Sequence, residues 1–215
     1  MIIKNSQQDI TIDLPTNFKQ VGLKISGGTD SAIVAYMLSK YVSEERKDIT
    51  IIPITVNHQD KEFQEPFAKS VIKHLTDVFG NIFGEHHVRH CPEASQYDST
   101  QRNLVKSLYL SKKIQCHYVG ITKNPPSEVI DHWDFGPADD RNAGKELRPT
   151  VEFKSFRPLI NIDKKGVAEL YNTLGVMETL FPLTRSCEEY TNDFSKHCGT
   201  CWFCKERYWG FERYT

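Results

Sequence analysis

The sequence has no apolar run long enough to span a membrane and no marked excess of charge of one sign. Its 27 lysines and arginines nearly balance its 28 aspartates and glutamates, which gives a formal net charge of −1. A protein this close to neutrality has no global attraction to nucleic acid or to an anionic membrane surface. Because residues 1–8 contain no apolar stretch of signal-peptide length, we expect a cytoplasmic protein that does not enter a membrane.

Internal repeats and low-complexity tracts are also absent from the sequence. The 215 residues, 39% of them hydrophobic, suit one domain or one domain with a small appendage. A chain of this length buries a sizeable core without disulfide bonds. We therefore interpret clustered cysteines as metal ligands before disulfides, as is usual in a reducing compartment.

Short apolar runs alternate with stretches of helical periodicity along the chain. The predicted strands are Val21–Ile25, Ile49–Val56, residues 86–90, Cys116–Ile121 and Pro158–Ile162, and the predicted helices are residues 32–41, 63–78, 100–113 and 164–174. This alternation implies right-handed crossovers and a doubly wound, mainly parallel sheet of the α/β class. Ligands bind at the carboxyl ends of the strands in such a sheet, so the loops there are candidate sites.

The segment from Thr122 to Phe156 is rich in proline, glycine, aspartate and asparagine, and it is too long for a simple connection. Two interpretations stay open for it, a lid or substrate-binding insertion and a disordered surface loop. We expect residues 1–182 to form the main domain, with 122–156 inserted in it, and residues 183–215 to form a C-terminal segment packed on it.

The loop Ser26-Gly27-Gly28-Thr29-Asp30-Ser31 joins the first predicted strand to the first predicted helix. Two glycines allow a sharp turn and a close approach to an anion, and the following N–H groups at the helix start point at a phosphate. Ser26, Thr29 and Ser31 add hydroxyl donors, and Asp30 either caps the helix or holds a magnesium ion carried by a nucleotide. An ordinary glycine turn is the alternative, and the full string between strand and helix favours a phosphate loop. Its spacing is neither that of a Walker A motif nor that of a dinucleotide fingerprint.

Four cysteines lie close together near the end of the chain, namely Cys187, Cys198, Cys201 and Cys204. Thiolates at this spacing can surround one tetrahedral zinc ion, and a full set of four protein ligands is typical of a structural site. An iron–sulfur cluster is the main alternative, because two-residue gaps also occur in ferredoxins. We favour zinc, since the fourth cysteine lies upstream and no proline follows Cys204.

The loop resembles the PP-loop signature Ser-Gly-Gly-x-Asp-Ser of the ATP pyrophosphatase superfamily, whose fold is Rossmann-like (HUP). Together with the cysteines, Arg102-Asn103, residues 157–164 and Thr184-Arg185-Ser186-Cys187, it resembles the 7-cyano-7-deazaguanine synthase family. The resemblance extends over roughly residues 20–205. The loop by itself indicates only the superfamily. The loop and the four cysteines together are much more specific to the family.

The resemblance implies a ligase that converts 7-carboxy-7-deazaguanine and ammonia to the nitrile, a step in queuosine-precursor biosynthesis, with release of AMP and pyrophosphate. Its cofactors would be ATP with Mg²⁺ and a structural Zn²⁺. Residues 26–31 would bind the ATP phosphates, with Asp30 and Ser31 catalytic, and Arg102 and Lys164 would neutralise charge. Its substrates would be a deazapurine and ammonia that is either free or supplied by a partner protein. The resemblance leaves open whether the chain forms a homodimer.

Two segments depart from the family pattern. Asn57-His58-Gln59-Asp60 replaces an aromatic-Gly-Gln element, and Thr122-Lys123-Asn124-Pro125-Pro126 replaces a Tyr-Pro-Asp-Cys-like element. Both departures concern the substrate end, so a reaction that stops at the amide, a different acid and a tRNA-thiolation-type adenylating enzyme are alternatives. Cys91 and Cys116 are the cysteines that thiolation chemistry would need, and neither has a partner motif.

A zinc knuckle that binds nucleic acid is the alternative outside the enzymes. Trp202, Phe203, Lys205 and Arg207 would then stack on bases or contact phosphates. The near-neutral charge favours the other interpretation, in which these aromatic residues pack against the domain and cover the metal.

Overall fold

The computed structural model describes residues 1–58, 62–133, 155–189 and 194–215. The strands are β1 Ile2–Ile3, β2 Ile10–Thr11, β3 Gln20–Lys24, β4 Thr50–His58, β5 His87–Cys91, β6 Cys116–Tyr118 and β7 Ser155–Phe156. The helices are α1 Thr29–Glu45, α2 Gln64–Phe79, α3 Tyr97–Leu110, α4 Ser127–Ile130, α5 Lys164–Thr173 and α6 Trp202–Phe211.

Five strands form one parallel sheet in the order β5-β4-β3-β6-β7, which confirms the predicted fold class. The chain moves outward from β3 to β5 in one direction and then returns to β6 on the other side of β3. The crevice between β3 and β6 is therefore the switch point, where the loops after these strands diverge and leave room for a ligand. A small antiparallel β1–β2 hairpin, which we did not predict, lies outside this sheet.

Side chains of the central strand alternate between the two faces of the sheet. Val21 and Leu23 belong to the large core on the side of α1, α2 and α5. Gly22 and Lys24 face the opposite side, where α3 packs on β4 and β5 over a smaller apolar cluster. Lys24 thus ends a strand whose three preceding residues are buried, and its ammonium group lies on the α3 side.

The predicted strand Pro158–Ile162 is wrong. β7 is Ser155–Phe156, and the residues after it form turns in which the N–H of Ile160 donates to Arg157 O (3.2 Å) and the N–H of Ile162 to Leu159 O (3.0 Å). The buried apolar side chains of this run enter the core from turns, so burial without period-2 alternation was misread as a strand.

The C-terminal segment contributes to the main core. Helix α6, which we did not predict, packs against α5, and the ring of Phe211 lies 5.4 Å from that of Tyr171 and 4.4 Å from that of Phe181. The proposed division at 182/183 stays a prediction. Most of the expected insertion, residues 134–154, lies outside the described residues, as do residues 59 and 60. None of the described helices is both long and apolar enough to cross a membrane.

Candidate functional site

The phosphate loop lies at the carboxyl end of β3, where the sequence places it. Gly27 has a left-handed φ of 76°, and a Cβ at this position would overlap Phe67 Cβ and approach Ala68 N within 2.9 Å. Gly28 is the N-cap of α1 and makes no side-chain capping bond, so the N–H groups of the first helical turn have no partner from a cap. Their common direction and the helix dipole create a favourable place for an anion.

Hydroxyl groups fix the shape of the loop from below. Ser31 Oγ accepts the N–H of Ser26 at 3.2 Å and donates to Gly28 O at 3.1 Å. Tyr171 Oη donates to Thr29 O at 2.9 Å from the core, and complete burial raises the pKa of Tyr171 well above its ordinary value. The phenol is therefore protonated at neutral pH and serves as a hydrogen-bond donor. Ser31 thus helps to hold the loop, and although Thr29 and Ser31 are largely buried, both also line the cavity described below, so their predicted contacts with phosphate stay predictions.

Asp30 and Lys164 form a buried ion pair at the mouth of the loop. Lys164 Nζ lies 2.6 Å from both carboxylate oxygens of Asp30 and 3.5 Å from Glu206 Oε2. The alternative that Asp30 caps α1 is wrong, since the N-cap is Gly28 and Asp30 faces Lys164. Lys164 begins α5, whose N-cap Asp163 accepts the N–H groups of the next turn, and this cap fixes the position of the lysine.

These groups line a cavity of about 260 Å³. The loop residues Ser26, Gly28, Thr29, Asp30 and Ser31 form one side, and Phe63, Gln64, Tyr97, Gly120, Lys164, Arg185, Ser186, Glu188, Phe203 and Glu206 form the rest. Gly27 is not among them, because it is buried beneath α2. A Cβ at Gly120 would lie 2.6 Å from Asp30 O, so this glycine lets the loop after β6 approach the start of α1 closely.

The four cysteines converge as the sequence predicts. Their Sγ atoms all lie within 4.8 Å of one another, and Cys198 Sγ is 3.8 Å from Cys204 Sγ. The N–H groups of Cys198 and Cys201 point at Cys187 Sγ (3.4 Å) and Cys198 Sγ (3.3 Å), an arrangement that stabilises thiolates. Among the described residues, this is the cluster of His, Cys, Asp and Glu side chains that could hold a metal ion.

Two buried arginines organise the polypeptide around the cysteines. The Arg185 guanidinium donates to Glu189 O, Phe194 O and Lys196 O at 2.6–2.7 Å. Arg207 donates to Thr184 Oγ1 (3.0 Å) and to Tyr214 O (2.9 Å), and burial lowers the pKa of Arg207 to about 10. Both guanidinium groups interact electrostatically with the cysteines and offset the negative charge of a thiolate cluster.

The remaining predicted site residues lie elsewhere. Arg102 falls in the second turn of α3 and lines a different cavity, beside Lys24 and Arg157. Cys91 and Cys116 are buried in β5 and β6 and do not line the phosphate-loop cavity.

The aromatic residues near the cysteines pack inward for the most part. Trp202 is buried, and its ring meets that of Trp133 edge-on at 5.1 Å. Arg207, which would contact phosphates in a zinc knuckle, is completely buried. Phe203 lines the phosphate-loop cavity, so it faces the candidate active site.

Sequence reasoning missed Gly120, Glu206 and the core tyrosine Tyr171. Gly120 carries a usable signal, a glycine directly after a strand next to the switch point. Glu206 and Tyr171 carry none, because each reaches the loop from a helix distant in sequence.

Comparison with known proteins agrees with this architecture. Residues 7–111 match the family described as NAD synthase, and residues 142–215 match the family described as Queuosine biosynthesis protein QueC. Among solved structures, the fold is similar to that of the U34-tRNA thiolase NcsA from Methanococcus maripaludis with its [4Fe-4S] cluster, at a TM-score of 0.50 and 16% identity. The similarity covers 82% of this chain and 62% of the thiolase chain, and no curated protein sequence matches.

Proposed function

We propose that this chain is a QueC-like, ATP-using enzyme of the PP-loop superfamily, and that it converts 7-carboxy-7-deazaguanine and ammonia to 7-cyano-7-deazaguanine. The two family matches and the similarity of fold support this proposal. The observation that carries the proposal is a direct contact between the segment that matches NAD synthase and the segment that matches QueC. The N–H of Arg185, two residues before Cys187, donates to Gly27 O at 2.9 Å. The segment matched by QueC therefore forms one wall of the cavity that the phosphate loop opens.

The charges of this cavity suit a triphosphate that arrives with magnesium. Asp30, Glu188 and Glu206 outnumber Lys164, since the Arg185 guanidinium is occupied by carbonyl groups. Side chains alone would repel ATP, so the attraction comes from the N–H groups of the loop and from Mg²⁺. We assign Asp30 to the magnesium ion that accompanies ATP and Lys164 to a phosphate oxygen.

The first chemical step is adenylation of the acid. A carboxylate oxygen of the substrate attacks the α-phosphorus of ATP, the bond from that phosphorus to the bridging oxygen breaks, and pyrophosphate leaves. The loop N–H groups hold the negative charge that grows on the leaving pyrophosphate, and Lys164 stabilises the same charge from the opposite side. These groups are in place before the reaction, so little reorganisation is needed.

Ammonia then attacks the acyl carbon and displaces AMP, which leaves the amide and a proton. The amide oxygen attacks a second ATP in the same way, and loss of AMP with the two amide protons gives the nitrile. One nitrile therefore consumes two ATP, whereas an enzyme that stops at the amide consumes one. This ratio separates the two outcomes without reference to the structure.

We further propose that the cysteine cluster holds one Zn²⁺ in a structural role. Four thiolates at about 2.3 Å from a tetrahedral ion lie about 3.8 Å apart, which is the distance between Cys198 Sγ and Cys204 Sγ. An iron–sulfur cluster places several iron and sulfide ions between its cysteines and spaces them more widely. Four protein ligands leave no open position, so Cys187, Cys198, Cys201 and Cys204 would hold the wall of the cavity and take no part in the chemistry.

The reaction is tested by mass spectrometry of the products formed from ATP, Mg²⁺, ammonia and the acid. We expect the nitrile with two AMP per product, and no AMP in the absence of the acid. The Asp30→Asn variant, which keeps the size of the side chain, should form neither product. Absence of acid-dependent AMP from the wild-type protein would reject this substrate.

The metal is tested by elemental analysis of protein purified without added metal. We expect about one zinc per chain and no visible absorption of an iron–sulfur cluster. Iron with matching sulfide in anaerobically purified protein would contradict the zinc assignment.

A further inference from the structure

A second cavity adjoins the phosphate loop on the α3 side of the sheet, and we propose that it binds the carboxylate of the aromatic acid that the enzyme activates. Its volume is about 340 Å³, and the residues that matter are Lys24, Gln101, Arg102, His117, Ser155 and Arg157. The proposal rests on the proposed function only for the identity of the acid. That the cavity binds an anion follows from its charge and its unused hydrogen-bond donors, which do not depend on the proposed function.

The first ground is uncompensated positive charge. Lys24, Arg102 and Arg157 line the cavity with one acid, Asp98. Within the described ranges, none of the three cations forms an ion pair, and Lys24 Nζ donates to the neutral Gln101 Oε1 at 2.8 Å. Lys24 and Arg157 are partly buried and Arg102 is exposed, so the repulsion is strongest between the first two, and a bound anion would offset it.

The second ground is hydrogen-bonding capacity that no described residue uses. Ser155 Oγ and Arg157 Nε are both buried without a partner in the part of the chain that the structure describes. Ser155 is only 5% exposed, so its hydroxyl has little access to bulk water. A buried donor left without an acceptor destabilises the fold, and a carboxylate offers acceptors to both groups at once.

The electrostatic environment of Lys24 agrees with a site that takes an anion. Burial, helped by the charges of Arg157 and Arg102, lowers the pKa of Lys24 to about 8. The ammonium group is still charged at neutral pH, but it is held where its charge is disfavoured. A negative group in the cavity would reverse this effect, because opposite charge favours the protonated lysine.

The position of the cavity suits the acid better than the triphosphate. Lys24 precedes Ser26 by two residues, and Val119 and Ile121, which line this cavity, flank Gly120, which lines the other. A carboxylate held here lies beside the place where ATP binds, while the loop N–H groups face the other cavity. The three cations would offset the repulsion between carboxylate and triphosphate, which must meet for adenylation.

The affinity test uses the full-length Lys24→Met and Arg157→Met variants. We expect the dissociation constant of 7-carboxy-7-deazaguanine to rise roughly tenfold or more in each, because a charged hydrogen bond is lost. The dissociation constant of ATP with Mg²⁺ should stay within about twofold, since the loop N–H groups are untouched. Lys106→Met is the matched control, because Lys106 is an exposed lysine of the same helix that carries Arg102, and it should change neither constant.

Lys24 is also tested without any assumption about the substrate. Pyridoxal 5′-phosphate forms an imine with an accessible lysine of lowered pKa, borohydride reduces it, and the labelled peptide is found by mass spectrometry. We expect Lys24 to be labelled and to be protected by benzoate, a simple aromatic carboxylate, but not by ATP with Mg²⁺. If benzoate protects Lys24 from labelling but the protein does not bind 7-carboxy-7-deazaguanine, the anion site is supported and the proposed function is rejected.

Two results would overturn the inference. An equal loss of ATP affinity in the Lys24 and Arg157 variants would assign the cavity to the nucleotide. Unchanged acid affinity together with unprotected labelling would show that the cavity binds no carboxylate. Thermal unfolding of each variant, compared with the wild-type protein, separates these results from a failure to fold.

Discussion

The N–H of Arg185 donates a 2.9 Å hydrogen bond to the carbonyl oxygen of Gly27, and this bond joins the cysteine segment to the phosphate loop. The same arginine uses its guanidinium group to hold the three carbonyl groups of residues 189, 194 and 196. If the cysteine segment loses its ordered conformation, this main-chain hydrogen bond is weakened and the loop loses a support. The proposed metal site and the proposed phosphate site are thus expected to be thermodynamically coupled.

Removal of the metal should weaken nucleotide binding although no cysteine lines the phosphate cavity. In the Cys201→Ser variant we expect the dissociation constant of ATP with Mg²⁺ to rise about fivefold to a hundredfold, the usual range of a coupling free energy. Isothermal titration calorimetry measures it. The control is Cys91→Ala, a buried cysteine outside the cluster, which should bind ATP normally. Equal ATP affinity with and without metal would disprove the coupling.

Gly27→Ala should destabilise the protein through two separable effects. The left-handed φ of 76° costs about 1–2 kcal/mol for alanine, and overlap with Phe67 costs about 1–3 kcal/mol more. Gly175→Ala isolates the first effect, because Gly175 has a φ of 68° and nothing within 4 Å of its Cβ position. Denaturant unfolding of both variants gives the difference, and equal losses would exclude the steric part.

Lys164→Met should remove the cation that separates two carboxylates. Lys164 lies between Asp30 and Glu206, and it and Glu206 are almost completely buried. Removing one partner of a buried ion pair costs about 3–5 kcal/mol of unfolding free energy. Adding Glu206→Gln should restore part of that stability, while ATP turnover should stay lost because no cation faces the phosphates. No recovery in the double variant would mean that the two carboxylates do not repel each other.

The stability cost of Lys24 should depend on pH. Its pKa is about 8 in the folded protein and 10.5 by ordinary values, so the unfolded chain binds more protons between these two pH values. The contribution of Lys24 to the free energy of unfolding therefore rises with pH across this window and is constant and unfavourable below it. Lys24→Met should be more stable than the wild-type protein by on the order of 2 kcal/mol at pH 7, and the advantage should disappear by about pH 10.5.

Other groups that titrate in this window cancel when the variant is compared with the wild-type protein. Asp98, Arg102 and Arg157 are the charged groups that line the cavity with Lys24, and all three are present in both proteins. Lys106→Met, at an exposed site on α3, is again the control for the replacement of a lysine by methionine. A constant difference for Lys24→Met as well would contradict the lowered pKa.

The elements that the sequence predicted best are those with a local cause. The strand–loop–helix unit around residues 20–45 follows from an apolar run, two glycines and helical periodicity, and each acts within a few residues. Convergence of Cys198, Cys201 and Cys204 follows from their spacing, because two-residue gaps bring their thiols together, whereas Cys187 reaches them through the ten-residue segment that Arg185 holds. The prediction of a strand at 158–162 is wrong because Leu159, Ile160 and Ile162 are buried by packing against the rest of the fold. Turns can bury apolar side chains in this way as well as strands can.

The sequence by itself determined the class of sheet, the phosphate loop and the cysteine set, since these depend on periodicity, glycine and short spacing. The tertiary structure decided which distant groups meet that loop. Glu206 reaches Lys164 only because α6 packs on α5, and a Cβ at Gly210 would lie 2.8 Å from Lys164 Cβ, so a glycine permits that contact. Lys24 and Arg157 meet because parallel strands end at one edge of the sheet. These contacts depend on how elements far apart in sequence pack together, so no local sequence pattern predicts them.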